Sequence, residues 1–301
     1  MKMRHFAVVL IGVVLACGAC VPLQNAPAGG GGTVTSTYRL GPFTIAPGGE
    51  AMGTATNIPR PAGQFGLQRA SFTLVDEHGV ELPRHMFHLH HVLLIDPDTP
   101  DHFCPGRGER FAGSGAERTE LRLGDPYVYL VANGEAINAL YHIMNMNMSG
   151  SATNVYLQYT LTYEPGATAT NSRPVTPYFL DVTGCGGSTY DVPGTGGPNS
   201  TYLKTRTFTA PADGIAVFVG GHQHEGAKGI KLVRVKTGEV GCDSEPTFGA
   251  MGGSPMTMSS CRIHDQVVGG EQYRVESRYD NSKPYQDVMG IMLAYVWLGH
   301  Q

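Results

Sequence analysis

The chain has no run of basic residues and no basic patch with interleaved aromatic residues, and its formal net charge is only −4. Nucleic acid is therefore not an expected partner, because binding to it requires clustered positive charge. A second apolar stretch of about 18 residues after the amino terminus is also missing, which argues against a multi-pass membrane protein. No helical period of useful length is present either, which excludes a helix bundle.

The amino terminus resembles an export signal. A basic start, Met1 to Arg4, precedes a short apolar stretch, so residues 1–20 are predicted to be a signal peptide. The run from Val14 to Cys17 is similar to a bacterial lipobox, which predicts lipidation of Cys17, with Cys20 as the second candidate and a plain signal peptide as the alternative. Residues 21–36, rich in Pro, Gly and Ala, are predicted to form a flexible tether. We therefore expect an exported protein that is lipid-anchored at the cell surface or in the periplasm, and otherwise secreted, with no other membrane contact.

The cysteines show no Cys-x-x-Cys spacing, which argues against a thiolate metal site. Apart from the two near the amino terminus, four remain: Cys104, Cys185, Cys242 and Cys261. An even number in an oxidising compartment predicts two disulfides. Sequence proximity favours Cys242 with Cys261, which leaves Cys104 with Cys185, although four cysteines permit three connectivities.

The remaining chain consists of short runs rich in Val, Thr, Tyr, Phe and Leu, separated by clusters of Gly, Pro, Asn and Asp. This pattern predicts an all-β protein with many antiparallel strands. The length suits two β domains of ordinary size. We place them at residues 37–170 and 171–301.

Six of the twelve histidines lie in two short segments in separate halves of the chain. In the second segment, His222 and His224 are two residues apart, so both rings project from the same face of a strand and can reach one ion. A His-x-His pair is rarely a core filler, because each buried imidazole needs a polar partner. The pair therefore predicts a metal site.

The first segment contains His85, His88, His90 and His91, and its spacing alone does not select the ligands. Strict alternation would pair His88 with His90, while His90 and His91 would point to opposite faces unless a bulge re-aims one. His142 is isolated, and a single histidine is more often satisfied by protein groups than a ligand. Met289 lies in an apolar strand, where a methionine is ordinarily a core residue.

Taken in order, these residues resemble the copper type II, ascorbate-dependent monooxygenase family, whose peptide-amidating members share a peptidylglycine α-hydroxylating monooxygenase-like fold. Four elements of that family's pattern occur in the same order: His90-His91 before apolar residues, His142, His222-Gln223-His224, and Met289 shortly after an acidic residue. The arrangement also resembles bacterial relatives of the stress up-regulated Nod 19 proteins.

The resemblance implies two copper ions per chain. It implies an electron-transfer copper at His90, His91 and His142, and a catalytic, oxygen-binding copper at His222, His224 and Met289. It also implies two tandem jelly-roll sandwiches that face each other across a solvent-filled cleft, with one copper on each. A His₂Met set suits Cu(I), while zinc is the alternative at the three-histidine site.

The sequence departs from the peptide-amidating enzymes where they hold the substrate carboxylate. The corresponding positions are Gly220, Ile291 and Leu293, none of which can bind a carboxylate through its side chain. The predicted function is therefore a monooxygenase that uses O₂ and a reductant to hydroxylate a C–H bond of an unknown small-molecule or peptide-like substrate, and not a peptidylglycine. Tyr295 and Asp287 are candidates to line the cleft. The alternatives are a non-catalytic copper-binding surface lipoprotein that buffers or delivers metal, and a structural or adhesive double sandwich.

Two methionine patterns remain, Met144-Asn145-Met146-Asn147-Met148 and Met256-Thr257-Met258. Alternate methionines predict a strand with methionine on its inner face. The alternative is a site at which Cu(I) first binds.

Overall fold

The computed structural model describes residues 32–249 and 253–299, and every regular element in those ranges is a β-strand. The prediction of an all-β protein is thus confirmed for the described residues. No helix among them is long and apolar enough to cross a membrane. The predicted signal peptide, Cys17 and residues 21–31 of the predicted tether lie outside the described ranges.

Nine strands form the amino-terminal half. They are β1 (Val34–Ile45), β2 (Glu50–Ala55), β3 (Phe65–Val75), β4 (Phe87–Pro100), β5 (Gly108–Gly115), β6 (Leu121–Arg122), β7 (Tyr127–Val131), β8 (Asn138–Asn145) and β9 (Thr153–Pro165). The predicted end of the tether at residue 36 is wrong, because β1 begins at Val34. Its first residues, rich in Val and Thr, pair with β9.

Twelve strands form the carboxyl-terminal half. They are β10 (Arg173–Asp181), β11 (Tyr190–Val192), β12 (Thr201–Thr209), β13 (Gly214–Gln223), β14 (Ala227–Arg234), β15 (Val240–Ser244), β16 (Pro246–Thr247), β17 (Thr257–Met258), β18 (Ser260–Val267), β19 (Gln272–Asp280), β20 (Tyr285–Val288) and β21 (Gly290–Trp297). The predicted domain boundary at 170/171 falls in the connection between β9 and β10, and the division into two domains stays a prediction.

One nine-stranded sheet runs through both halves in the order β1-β9-β3-β7-β10-β21-β13-β18, with β6 paired to β3. The halves meet in this sheet where β7 and β10 pair in parallel. A four-stranded sheet, β2-β8-β4-β5, belongs to the amino-terminal half, and a second, β12-β19-β14-β15, belongs to the carboxyl-terminal half. The sheets therefore form two layers in each half, with one shared layer.

Burial along the strands follows from these layers. In β9 buried and partly exposed residues alternate, as expected for a strand with one face on a core. In β21 nearly every residue is buried, because both faces of this strand are covered. One face packs in the carboxyl-terminal core, whereas Ile291 on the other packs with Leu93 of the amino-terminal half. The two halves thus share an apolar interface beside the histidines.

Both predicted disulfides are present. Cys104 bonds to Cys185 and joins the two halves, while Cys242 bonds to Cys261 and joins the two layers of the carboxyl-terminal half. The connectivity favoured by sequence proximity is confirmed.

Candidate metal centre

The adjacent histidines lie where the pairing of β4 with β8 shifts its register, between Leu89 and His91. This irregularity lets His90 and His91 converge, and their Nδ1 atoms are 3.0 Å apart. His142 on β8 is paired with His91 across the ladder. One ligand atom from each of these three histidines lies within 4.8 Å of the other two. The structure therefore brings together three imidazoles in a spacing that fits a single metal ion.

A carboxylate fixes the orientation of the third imidazole. The Nε2 atom of His142 lies 2.8 Å from Oε2 of Glu50 on the neighbouring strand β2. If Nε2 carries the proton, Nδ1 of His142 is left with its lone pair free for a metal. Glu50 is half exposed, so this contact is open to solvent.

The His-x-His pair lies at the end of β13, and the residue between the two histidines explains their common direction. Gln223 is buried in the carboxyl-terminal half, where its Nε2 donates to Ser277 Oγ at 2.8 Å and its Oε1 accepts the Gly229 amide at 3.1 Å. Side chains alternate along a strand, so His222 and His224 project from the opposite face.

Each of these two imidazoles is held by its Nδ1 atom. Nδ1 of His222 lies 3.1 Å from Oε2 of Glu117, and Nδ1 of His224 lies 3.0 Å from the carbonyl oxygen of Asp287. Asp287 has a φ of 52°, an uncommon value for a residue other than glycine. With the protons on Nδ1, both Nε2 atoms are acceptors, and both are buried with no hydrogen-bond partner in the part of the chain that the structure describes. A buried imidazole nitrogen needs a polar partner, and a metal ion bound by the lone pairs of both nitrogens would supply one.

The ring of His222 packs against a backbone that has no side chain. A Cβ placed on Gly115 would be 2.5 Å from Cε1 of His222 and 2.8 Å from Oε2 of Glu117. The Gly115 amide also donates to Oε1 of Glu117 at 2.9 Å. Glycine is thus required at this position by the close approach of the imidazole and carboxylate.

Met289 is connected to His224 through its backbone carbonyl and the side chain of Tyr279. The hydroxyl of Tyr279 donates to the Met289 carbonyl at 2.6 Å and accepts the backbone N–H of His224 at 2.7 Å. The side chain of Met289 is buried beside Phe179, and it shares the wall of one cavity with His222. The role of its sulfur as a ligand stays a prediction.

The two predicted ligand sets lie side by side. The ring centroids of His90 and His224 are 4.4 Å apart, which is shorter than the 5.1 Å between His222 and His224. The expectation that a solvent-filled cleft separates the sets is therefore wrong. Apolar packing of β21 against β4 brings the two halves together at this point.

A large cleft and a small cavity both border the histidines, and they share no lining residue. A cleft of about 1300 Å³ is lined by His88, His90 and His224. A cavity of about 100 Å³ is lined by His91, His222 and mostly apolar side chains. The histidines thus form a partition between an open cleft and a small apolar cavity.

Comparisons with known proteins point to one family. The profile of the stress up-regulated Nod 19 family matches residues 138–300, which is more than half of the chain. The chain belongs to the stress up-regulated Nod 19 family. The matched range includes His142, the His-x-His pair and Met289, whereas His90 and His91 precede it.

Two relatives of this Nod 19 family member are named probable copper-dependent oxygenases: M1 from Phoma sp. and clz3 from Cochliobolus lunatus. Each is 26% identical to it over 231 residues, or 70% of this chain. The alignment spans 58% of the length of M1 and 72% of that of clz3. Among solved structures, the STIV MCP aligns with a TM-score of 0.37 and 11% identity, covering 88% of this chain and 97% of that one.

The electrostatics of the cluster favour neutral imidazoles. Burial, followed by repulsion between neighbouring imidazoles, lowers the pKa of His90 to about 3 and that of His91 to about 4. The pKa of His224 is well below its ordinary value for the same reasons. Metal binding requires neutral imidazole, so these groups need not lose a proton to bind an ion at neutral pH.

His222 is the exception in this Nod 19 family member. Burial alone would lower its pKa, but the negative charge and hydrogen bond of Glu117 outweigh burial and raise it. Burial likewise opposes ionisation of Glu117, yet its contacts with His222 hold the pKa of this carboxyl below its ordinary value. A buried carboxylate on Nδ1 makes Nε2 a more basic ligand.

The positions that correspond to the carboxylate-binding residues of the peptide-amidating enzymes are apolar here. Gly220, Ile291 and Leu293 line the small cavity. Tyr295 also lines this cavity, and its hydroxyl donates to the Phe111 carbonyl at 2.7 Å, so it does not line the open cleft as expected. Asp287 does line the cleft.

The methionine patterns are not inner-face packing. Met146 and Met148 are exposed, as is Met256, and only Met258 is buried in the core. The prediction fails because Met146 and Met148 follow the end of β8 and Met256 precedes β17, so none of the three lies on a strand face.

Sequence reasoning missed three residues of the site. Glu117 and Glu50 each hold an imidazole, and Tyr279 ties His224 to Met289. The sequence gives a weak signal for Glu117: residues 113–116 before it are small, which indicates that another group approaches the backbone closely there. No sequence pattern links position 117 to position 222.

Proposed function

We propose that this protein is a copper-dependent oxygenase in which the two adjacent histidine sets hold one copper ion each. One observation carries the proposal: the Nε2 atoms of His222 and His224 are buried with no hydrogen-bond partner among the described residues, and the ring of His224 lies 4.4 Å from that of His90 in the three-histidine group. The relatives named probable copper-dependent oxygenases support the choice of copper over zinc. A thioether ligand from Met289 would favour Cu(I) further.

The residues of the chain have separable tasks in this proposal. Copper, when bound, would supply one-electron and oxygen chemistry. Glu117 and the Asp287 carbonyl hold the Nδ1 protons of His222 and His224, which fixes the tautomer and leaves both Nε2 atoms as ligands. Glu50 does the same for His142 through the opposite nitrogen. Each of these three imidazoles is therefore oriented by a protein contact made before any ion binds.

In this proposal the substrate and O₂ approach the histidines through different spaces. The cleft of about 1300 Å³ has room for an organic substrate and is open to solvent at His90 and His224. The cavity of about 100 Å³ is apolar around His222 and Met289, and it suits a small nonpolar molecule such as O₂. We propose that the substrate enters by the cleft. A peptidylglycine is a poor candidate, because no cationic side chain stands at Gly220, Ile291 or Leu293.

The sheet order supports a finer assignment of the fold. Each half has two four-stranded layers, and the orders β1-β9-β3-β7 and β2-β8-β4-β5 recur in the second half as β10-β21-β13-β18 and β12-β19-β14-β15. Two such layers of four strands are typical of a jelly roll. We propose two tandem jelly rolls that share one continuous sheet.

One observation favours a second candidate function. Exposed methionines near the histidines would suit a protein that buffers or delivers copper without catalysis. The oxygenase and the buffering protein differ in whether bound copper supports oxygen consumption.

Oxygen consumption by copper-loaded protein tests the proposal. With ascorbate as the reductant, we expect copper-dependent oxygen uptake by the wild type and its loss in His222→Ala and His90→Ala. His78→Ala is the matched control, because His78 is highly exposed and contacts Glu77 instead of the cluster. Copper binding without oxygen uptake above that of free copper would reject the oxygenase and favour the buffering function.

A further inference from the structure

Four methionines are unusually exposed for a residue type that is normally buried. Among the described residues, the exposed fractions are 63% for Met52, 50% for Met146, 86% for Met148 and 44% for Met256. Met146 and Met256 line the open cleft together with the partly buried Met144. Exposed thioethers around a cleft that contains imidazoles call for an explanation beyond packing.

The strand register places the methionines on the ligand face of the sheet β2-β8-β4-β5. His142 and Met144 are spaced by two on β8, so their side chains share a face. Met146 follows the end of β8, and its N–H donates to the Met86 carbonyl at 2.8 Å, which continues the pairing with the segment before β4. Met144 stands directly opposite His88 in the β4–β8 ladder. Side chains that face each other in this way have Cβ atoms about 5 Å apart, so both can reach one ion.

These residues form a continuous path from solvent to the candidate metal centre. Met146 is at the exposed end, and the pair of Met144 and His88 comes next. The ring of His88 is then 5.9 Å from the ring of His90, centroid to centroid, and both line the cleft. His88 belongs to neither ligand set, and its side chain makes no hydrogen bond to the other described residues that would give it a structural role.

We propose that Met144, Met146 and His88 form a third, transient Cu(I) site, the acquisition site, which captures Cu(I) in the cleft and passes it to the histidine cluster. Two thioethers and one imidazole are neutral ligands that suit a soft monovalent ion. Transfer to His90 is an exchange of ligands: copper remains Cu(I), no electron moves, and no proton is released. The inference rests on the proposed copper function, which supplies the destination.

The acquisition site can be observed without oxygen or turnover. We would label the methionine ε-methyl groups with ¹³C and titrate the full chain with Ag(I), a redox-inert monovalent ion with similar ligand preferences. The methyl signals of Met144 and Met146 should shift together, assigned by single Met→Leu variants. Met148 is the matched control, because it is more exposed than Met146 but does not line the cleft. Shifts of Met148 equal to those of Met146 would overturn the site as non-specific binding to exposed thioethers.

A kinetic measurement tests the transfer. Cu(I) uptake from a chromophoric chelator should be several-fold slower in the double variant Met144→Leu/Met146→Leu, with the same final copper content as the wild type. Met148→Leu should keep the wild-type rate. Wild-type uptake by the double variant would overturn the proposal.

The two proposals fail in different ways. In His222→Ala, the Ag(I)-induced methyl shifts should persist even though oxygen uptake is lost. Intact shifts without oxygen uptake in the wild type would reject the oxygenase alone. Absent shifts with normal oxygen uptake would reject the acquisition site alone.

Discussion

The Glu117 carboxylate accepts two hydrogen bonds, one with each oxygen, and the substitution Glu117→Gln replaces one of these oxygens with an NH₂ group. Oε1 accepts the Gly115 amide at 2.9 Å and Oε2 accepts Nδ1–H of His222 at 3.1 Å. Glutamine has a single oxygen, so Glu117→Gln keeps one of these contacts and places an NH₂ group against the other donor. If that donor is His222, its imidazole is driven to the other tautomer, in which Nε2 carries the proton and cannot bind a metal.

The size of the effect follows from burial. Loss of a hydrogen-bonding partner of a metal-bound histidine typically lowers metal affinity by about 10–100-fold, or roughly 1.4–2.8 kcal/mol. The Glu117 side chain is only 1% exposed, so water cannot replace it. The matched control is Glu50→Gln, because Glu50 holds His142 but is 50% exposed. A contact so accessible to solvent is worth about 1 kcal/mol or less, so we expect at most a fivefold or so loss.

Anaerobic competition with a chromophoric Cu(I) chelator measures both variants, and thermal unfolding without copper shows that they are folded. The reasoning is refuted if Glu117→Gln binds Cu(I) as tightly as the wild type, or if Glu50→Gln loses as much affinity as Glu117→Gln.

Three further predictions concern other parts of the molecule. Met289→Ile keeps apolar bulk but deletes the sulfur, so Cu(I) affinity should fall more than Cu(II) affinity, with a stability loss below about 1.5 kcal/mol; equal Cu(I) affinity would make Met289 only a core residue. Burial raises the pKa of Glu109 from 4.5 to about 7, so the stability from this group is complete below pH 4.5 and is lost as pH rises through about 7. That loss is on the order of 3 kcal/mol, and denaturant unfolding at about pH 5 and about pH 8 should show a flatter pH dependence in Glu109→Gln than in the wild type. Replacing Cys104 and Cys185 by alanine opens a loop with a sequence separation of 81 and should cost more stability than opening the other disulfide, with a separation of 19. The expected losses are about 4.5 and about 3 kcal/mol, and equal losses in denaturant unfolding would contradict the loop-length argument.

The sequence was most informative where local pattern decides the structure. Alternating β-branched and aromatic residues predicted an all-β chain, and the short separation of Cys242 and Cys261 predicted the disulfides. The His-x-His pair was predictable because a strand has a period of two. The convergence of His90 and His91 required a register shift between β4 and β8, which the sequence left open as one of two outcomes.

The features that were missed depend on how the two halves dock. The open cleft borders the two ligand sets and does not separate them, because Phe179, Ile291 and Leu93 pack together across the halves. Contacts of this kind depend on side chains that are far apart in the chain. The contact between Glu117 and His222 spans 105 residues, and no spacing rule reaches that far. The exposure of Met146 and Met148 was missed because β8 ends at Asn145, so both methionines follow the strand instead of lying on one of its faces.

Copper stoichiometry tests the central claim most directly. Anaerobic Cu(I) titration of the wild type, measured by the metal retained after removal of loosely bound ions, should reach two ions per chain. His222→Ala and His90→Ala should each retain one ion, and His78→Ala should retain both. A wild-type protein that retains no copper, or histidine variants that retain as much as the wild type, would contradict the assignment of this cluster as a copper centre.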